Sequence, residues 1–108
     1  MIGYVSVGTN DIKRAAAYYD KLLAEMGAKR IMDFGTFMVW GTGKGKAAFA
    51  IAEPYNKMPA TVGNGVMVAF DVGEPAKVDA MYKKALELGG KDDGPPGDRG
   101  DNYYGAYF

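Results

Sequence analysis

With 108 residues, 48% of them hydrophobic, the chain can bury one core but is too short for two ordinary domains. Thirteen Lys+Arg balance 13 Asp+Glu, so no basic stripe of the kind a phosphate backbone requires is present. Cysteine and histidine are absent, which excludes disulfides, thiolate catalysis and zinc–cysteine sites and removes the commonest metal ligand and neutral-pH base.

In chain order, residues 2–7 (IGYVSV) form a short β-branched run closed by Gly8-Thr9-Asn10, which predicts a strand. From Asp11 the spacing turns helical. Ile12, Ala15, Ala16, Tyr19, Leu23 and Met26 make one apolar stripe, Asn10 or Asp11 can cap the start, and Gly27 suits the stop. Three strand-like runs follow at Lys29–Phe34, Thr36–Trp40 and Ala47–Glu53, separated by Gly35 and by the hairpin-like Gly41–Lys46. Pro54–Asn64 reads as a linker. Val66–Asp71 predicts another strand, and Pro75 opens a helix whose stripe is Val78, Met81, Tyr82, Ala85 and Leu86, ending at Gly89-Gly90. Lys91–Asn102 predicts a long loop with room for one short strand, and Tyr103–Phe108 a last strand.

The two halves repeat. An offset of 63 residues places Tyr4 on Met67, Tyr19 on Tyr82, Leu23 on Leu86 and Gly27 on Gly90. The expected organisation is a single domain of module one (1–53), a linker (54–64) and an incomplete module two (65–108). A counterpart of the Ala47–Glu53 strand would stand beyond Phe108, which leads us to expect a truncated chain or a strand supplied by a partner.

Strand alternation assigns faces. Val5, Val7, Phe49, Ile51, Val66, Val68 and Phe70 are expected on the helix side, leaving Tyr4, Ser6, Ala48, Ala50, Ala52, Met67 and Ala69 on the other. Of the adjacent Tyr103 and Tyr104, one can meet a ligand while the other packs outward. GTGKGK at 41–46 lacks the phosphate-loop spacing and precedes a strand. Asp92, Asp93, Asp98 and Asp101 do not follow the calcium-loop pattern, so a solvated loop is the reading for them.

The segments GTNDIKRAAAYYDKLLAEMGAKR, AIAEPYNKMPATVGNGVMVAF and PGDRGDNYYGAYF, in that order, resemble the vicinal-oxygen-chelate superfamily of glyoxalase, bleomycin-resistance and dioxygenase-like proteins. The resemblance implies an α+β fold of two tandem βαβββ modules that curl a mixed sheet into a U-shaped trough, the second module here lacking its final strand. It implies metal ligands at the positions of Tyr4, Ala52 and Met67, with Glu53 adjacent to Ala52 but on the opposite face, and a fourth ligand in the missing strand. Phenol, methyl and thioether groups are poor donors for such an ion, so no metal and no cofactor is expected, and no catalytic residue can be named.

The function expected is a metal-free module that binds a small apolar or amphipathic molecule through Tyr4, Ser6, Ala52, Met67, Tyr103 and Tyr104, as a homodimer. The alternatives are a metal-dependent lyase, isomerase or dioxygenase of the same superfamily, and a structural or assembly domain. Nucleic acid is not expected as a partner, and neither is a membrane: no stretch approaches the ~20 apolar residues of a span. The opening MIGYVSVGTND lacks the order of a signal peptide, so a cytoplasmic protein is expected.

Overall fold

The computed structural model describes residues 1–108 and divides into two compact units, Met1–Ala69 and Phe70–Phe108. The first holds strand β1 (Tyr4–Gly8), helix α1 (Ile12–Ala24) and strands β2 (Lys29–Asp33), β3 (Phe37–Gly41) and β4 (Ala48–Ala52). The second holds helix α2 (Pro75–Glu87) and strands β5 (Gly94–Asp98) and β6 (Tyr104–Tyr107). Two tandem modules of βαβββ type are thus present, the second reduced to its helix and two strands.

In the first unit the strands form a mixed sheet in the order β1-β4-β3-β2. β1 runs parallel to β4, while β2–β3 and β3–β4 are antiparallel. α1 starts where Asp11 accepts the Arg14 amide at 3.1 Å and Thr9 Oγ1 accepts that of Asp11. It stops where Gly27, at φ 76°, turns the chain so that the Ala28 amide reaches the Leu23 carbonyl. The β2–β3 turn uses Gly35 at φ 80°, its amide bonded to Asp33 Oδ1 at 2.9 Å. A register shift between Arg30 and Met32 leaves Ile31 as an extra residue in β2.

The core of this unit lies between α1 and one face of the sheet. Trp40, Leu22, Leu23 and Ile51 are its largest fully buried side chains. Tyr19 carries the contact, with its ring 4.7 Å from Phe49 and 6.1 Å from Trp40. Leu22, absent from the expected stripe, is fully buried beside Leu23, so the apolar face of α1 is wider than the stripe that spacing identifies. Asp20 ties the helix to the sheet. Its Oδ1 accepts the Trp40 indole N–H at 2.9 Å and the Arg30 Nε–H at 3.2 Å, its Oδ2 accepts a second guanidinium N–H, and Arg30 also pairs with Asp33 at 3.1 Å.

In the second unit, Pro75 occupies the first turn of α2, and Met81 and Ala85 are buried. β5 and β6 are antiparallel. β5 forms over GPPGD because its prolines fall in the irregularity between the Gly94 and Gly97 pairs, where no ladder N–H is needed. Two side-chain bonds join this unit's helix to its later segments: the Tyr104 hydroxyl donates to Asp79 at 2.7 Å and that of Tyr82 to Asp92 at 2.8 Å.

One expected element does not form. Val66–Asp71 is irregular rather than a strand. Its counterpart β1 is held in the sheet by β4 alone, and no strand of this structure pairs with Val66–Asp71. β-branched residues favour an extended backbone, but a strand needs a partner for its amides.

Candidate functional site

Residues opposite each other in a ladder share a face, and alternate residues of a strand take opposite faces. The registers Tyr4↔Ala48, Ser6↔Ala50, Gly8↔Ala52, Phe37↔Ala52 and Val39↔Ala50 therefore put Tyr4, Ser6, Phe37, Val39 and the three alanines on one side. Val5, Val7, Met38, Trp40, Phe49 and Ile51 take the other, which α1 covers through Tyr19. The floor of the helix-free side is lined by alanine methyls and Val39, with Ala50 and Val39 buried, Ala48 and Ala52 half-buried, and Tyr4 and Phe37 at its rim. Tyr4 is 60% exposed and stands edge-on to Phe37, with ring centroids 5.9 Å apart.

The linker closes one end of this floor. Asn10 pairs with the backbone of Ala60 as a strand would, donating from Nδ2 to its carbonyl at 3.0 Å and accepting its amide on Oδ1 at 2.7 Å. A Cβ at Gly8 would stand 3.0 Å from that of Ala60, so only glycine fits there without displacing the linker. Of the two cap candidates in the sequence, Asn10 and Asp11, Asp11 takes the role and Asn10 is the clasp.

Of the residues expected at the site, Tyr4, Ser6 and Ala52 share the helix-free face. Met67 lies in the irregular segment, 66% exposed, off the sheet. Tyr103 and Tyr104 belong to the second unit. Tyr104 points to α2 and bonds Asp79, while Tyr103, on the opposite side of the hairpin, is 48% exposed with its ring against Gly105. A hydrogen bond with Tyr107 is the main influence holding the Tyr103 phenol above its ordinary pKa.

The positions where the family resemblance implies metal ligands do not fit a divalent ion. Ala52 offers no donor, Met67 offers only a thioether, and no three acidic side chains gather anywhere in the chain. The scaffold thus lacks an assembled metal site. No helix is long and apolar enough to cross a membrane.

The sequence profile of the Glyoxalase/Bleomycin resistance protein/Dioxygenase superfamily matches residues 1–108. No curated protein matches the chain. Among solved structures, a glyoxalase/bleomycin resistance protein from Albidiferax ferrireducens T118 is 30% identical at a TM-score of 0.84, over 96% of this chain and 84% of that one. A glyoxalase/bleomycin resistance protein/dioxygenase from Nocardioides is 21% identical at a TM-score of 0.62, over 98% and 76%. A hypothetical protein from S. aureus is 18% identical at 0.69, over 98% and 81%, and these last two share the fold. With the profile matched from end to end and a 30% identical relative of the same architecture, the chain belongs to the glyoxalase/bleomycin resistance/dioxygenase superfamily.

Proposed function

We propose that this protein is a metal-free binding module for a small apolar or amphipathic molecule, seated on the helix-free face of the first unit's sheet. The observation that carries the reading is the makeup of that face: alanine methyls for a floor, the exposed Tyr4 ring edge-on to the half-buried Phe37 at its rim, and no ionisable group on β4. Such a surface takes an apolar body, and the Ser6 and Tyr4 hydroxyls orient it. Met67, 66% exposed in the same unit, is proposed as a further contact. The donor chemistry favours sequestration of a ligand over its conversion, because Ala52 and Met67 do not supply the oxygen or imidazole donors that metal-dependent conversion requires. We further propose a homodimer working in the cytoplasm.

A thermal-shift screen of apolar and amphipathic molecules, with and without divalent metals, tests the reading. We expect ligands that raise the melting temperature equally with and without metal, and a Tyr4→Ala variant that folds normally and loses most of the shift. Elemental analysis that finds about one Zn, Ni, Fe or Mn per chain after dialysis would overturn the metal-free assignment.

A further inference from the structure

The second unit carries a preassembled surface on the side of its hairpin away from α2, with Arg99 and Tyr103 exposed on it. In β6, Tyr104 turns to α2, so Gly105 and Tyr107 face away from it, and the register Gly94↔Tyr107 and Gly97↔Gly105 brings two glycines of β5 to the same side. Over this strip of bare backbone lie three flat groups. A Cβ on Gly105 would stand 2.8 Å from Tyr103 Cε1, one on Gly94 would stand 2.8 Å from Tyr107 Cδ2, and one on Gly97 would stand 3.2 Å from the Arg99 guanidinium. Glycine at these three positions lets two phenol rings and a guanidinium lie against the hairpin.

Arg99 is held but not neutralised. One terminal nitrogen donates to the Pro95 carbonyl, and the guanidinium carbon sits 5.6 Å from the centre of the Tyr107 ring. Every ion pair in the chain belongs to Arg30, so Arg99 has no carboxylate partner although its charge is exposed. A planar cation anchored on the half-buried Tyr107 ring, with the exposed Tyr103 ring on the same side of the hairpin, suits one ligand shape: a flat aromatic body carrying a carboxylate, the ring stacked on Tyr103 and the oxygens on the remaining guanidinium donors.

From this geometry we infer that Arg99, Tyr103 and Tyr107 form a binding site for an aromatic carboxylate. The inference rests on the proposed small-molecule function and names the ligand class for the second unit's helix-free face. It identifies Arg99 as a specificity residue that motif and spacing did not single out.

The test is calorimetric titration of the full chain with naphthoate and with its neutral methyl ester. We expect the acid to bind about tenfold more tightly than the ester. Arg99→Gln should abolish that preference while leaving ester binding intact, Arg99→Lys should restore part of it, and Tyr103→Leu should weaken both ligands. Intermolecular NOEs from naphthoate protons to the Tyr103 and Tyr107 rings, read on the unaltered protein, fix the location even if an Arg99 variant folds poorly. Equal affinity for acid and ester, a preference that survives Arg99→Gln, or NOEs confined to the first unit would overturn the inference and leave the small-molecule function standing. Failure of both probes to bind would overturn the inference alone, since the thermal-shift screen tests the small-molecule function separately.

Discussion

Asp20 is the residue on which most of the first unit's polar order depends. Its carboxylate satisfies the indole N–H of Trp40, a side chain 1% exposed, and holds Arg30 over the same ring at 5.5 Å. The ion pair itself is partly solvated and contributes little. Asp20→Ala should nevertheless destabilise the protein by about 1–2 kcal/mol, because it leaves a buried indole donor short of its acceptor. Asp20→Asn, which keeps an acceptor, should cost less, and chemical denaturation of the two variants checks the order.

The tyrosines set the alkaline limit. Burial raises the Tyr19 phenol and, helped by the neighbouring Tyr19, that of Tyr18. Hydrogen bonds to Asp92 and Asp79 do the same for Tyr82 and Tyr104. Since each folded-state pKa stands above the ordinary 10.0, their contribution is complete below pH 10 and lost as pH rises through the raised values. Melting temperature should therefore fall above pH 10, in step with tyrosinate absorbance; a flat profile there would contradict these contacts.

At the scale of elements, what was legible in the sequence is what depends on near neighbours. Both helices, the three strands after α1 and the last strand follow from periodicity, caps and turn glycines. The clasp between Asn10 and Ala60, the burial of Leu22 and the role of Asp20 depend on residues distant in the chain, and no local pattern encodes them. The sequence leaves room for one short strand in Lys91–Asn102 but does not place it, because Pro95-Pro96 argue against a strand even though the register puts them where it is broken. Conversely, Val66–Asp71 has the composition of a strand but no ladder. Alternation did assign the faces of β1 and β4, including the alanine floor, because one face must meet the helix. A prediction follows for backbone exchange: the amides of Met67, Val68 and Ala69 should exchange with deuterium far faster than those of Phe49, Ala50 and Ile51. Comparable protection would mean that a further strand pairs with this segment in solution.

For the molecule as a whole, β1 is an edge strand, and Ile2, Tyr4 and Val5 are exposed along it. Unpaired edges with apolar side chains recruit partners, and two-fold pairing is the commonest solution. Light scattering should return twice the chain mass at micromolar concentration, and Val5→Lys, a charge placed on that edge, should shift it towards the monomer. A monomer mass for the unaltered protein at every concentration would rule the dimer out.

Trp40 is the only tryptophan in the chain, and it sits in the first unit's core. That makes it a built-in optical label. Its native emission should lie at the blue end of the indole range, shift red when α1 leaves the sheet, and stay silent while α2 and its hairpin rearrange. Emission and helical ellipticity, recorded on one sample through one melt, will show directly whether the two units open together or one after the other.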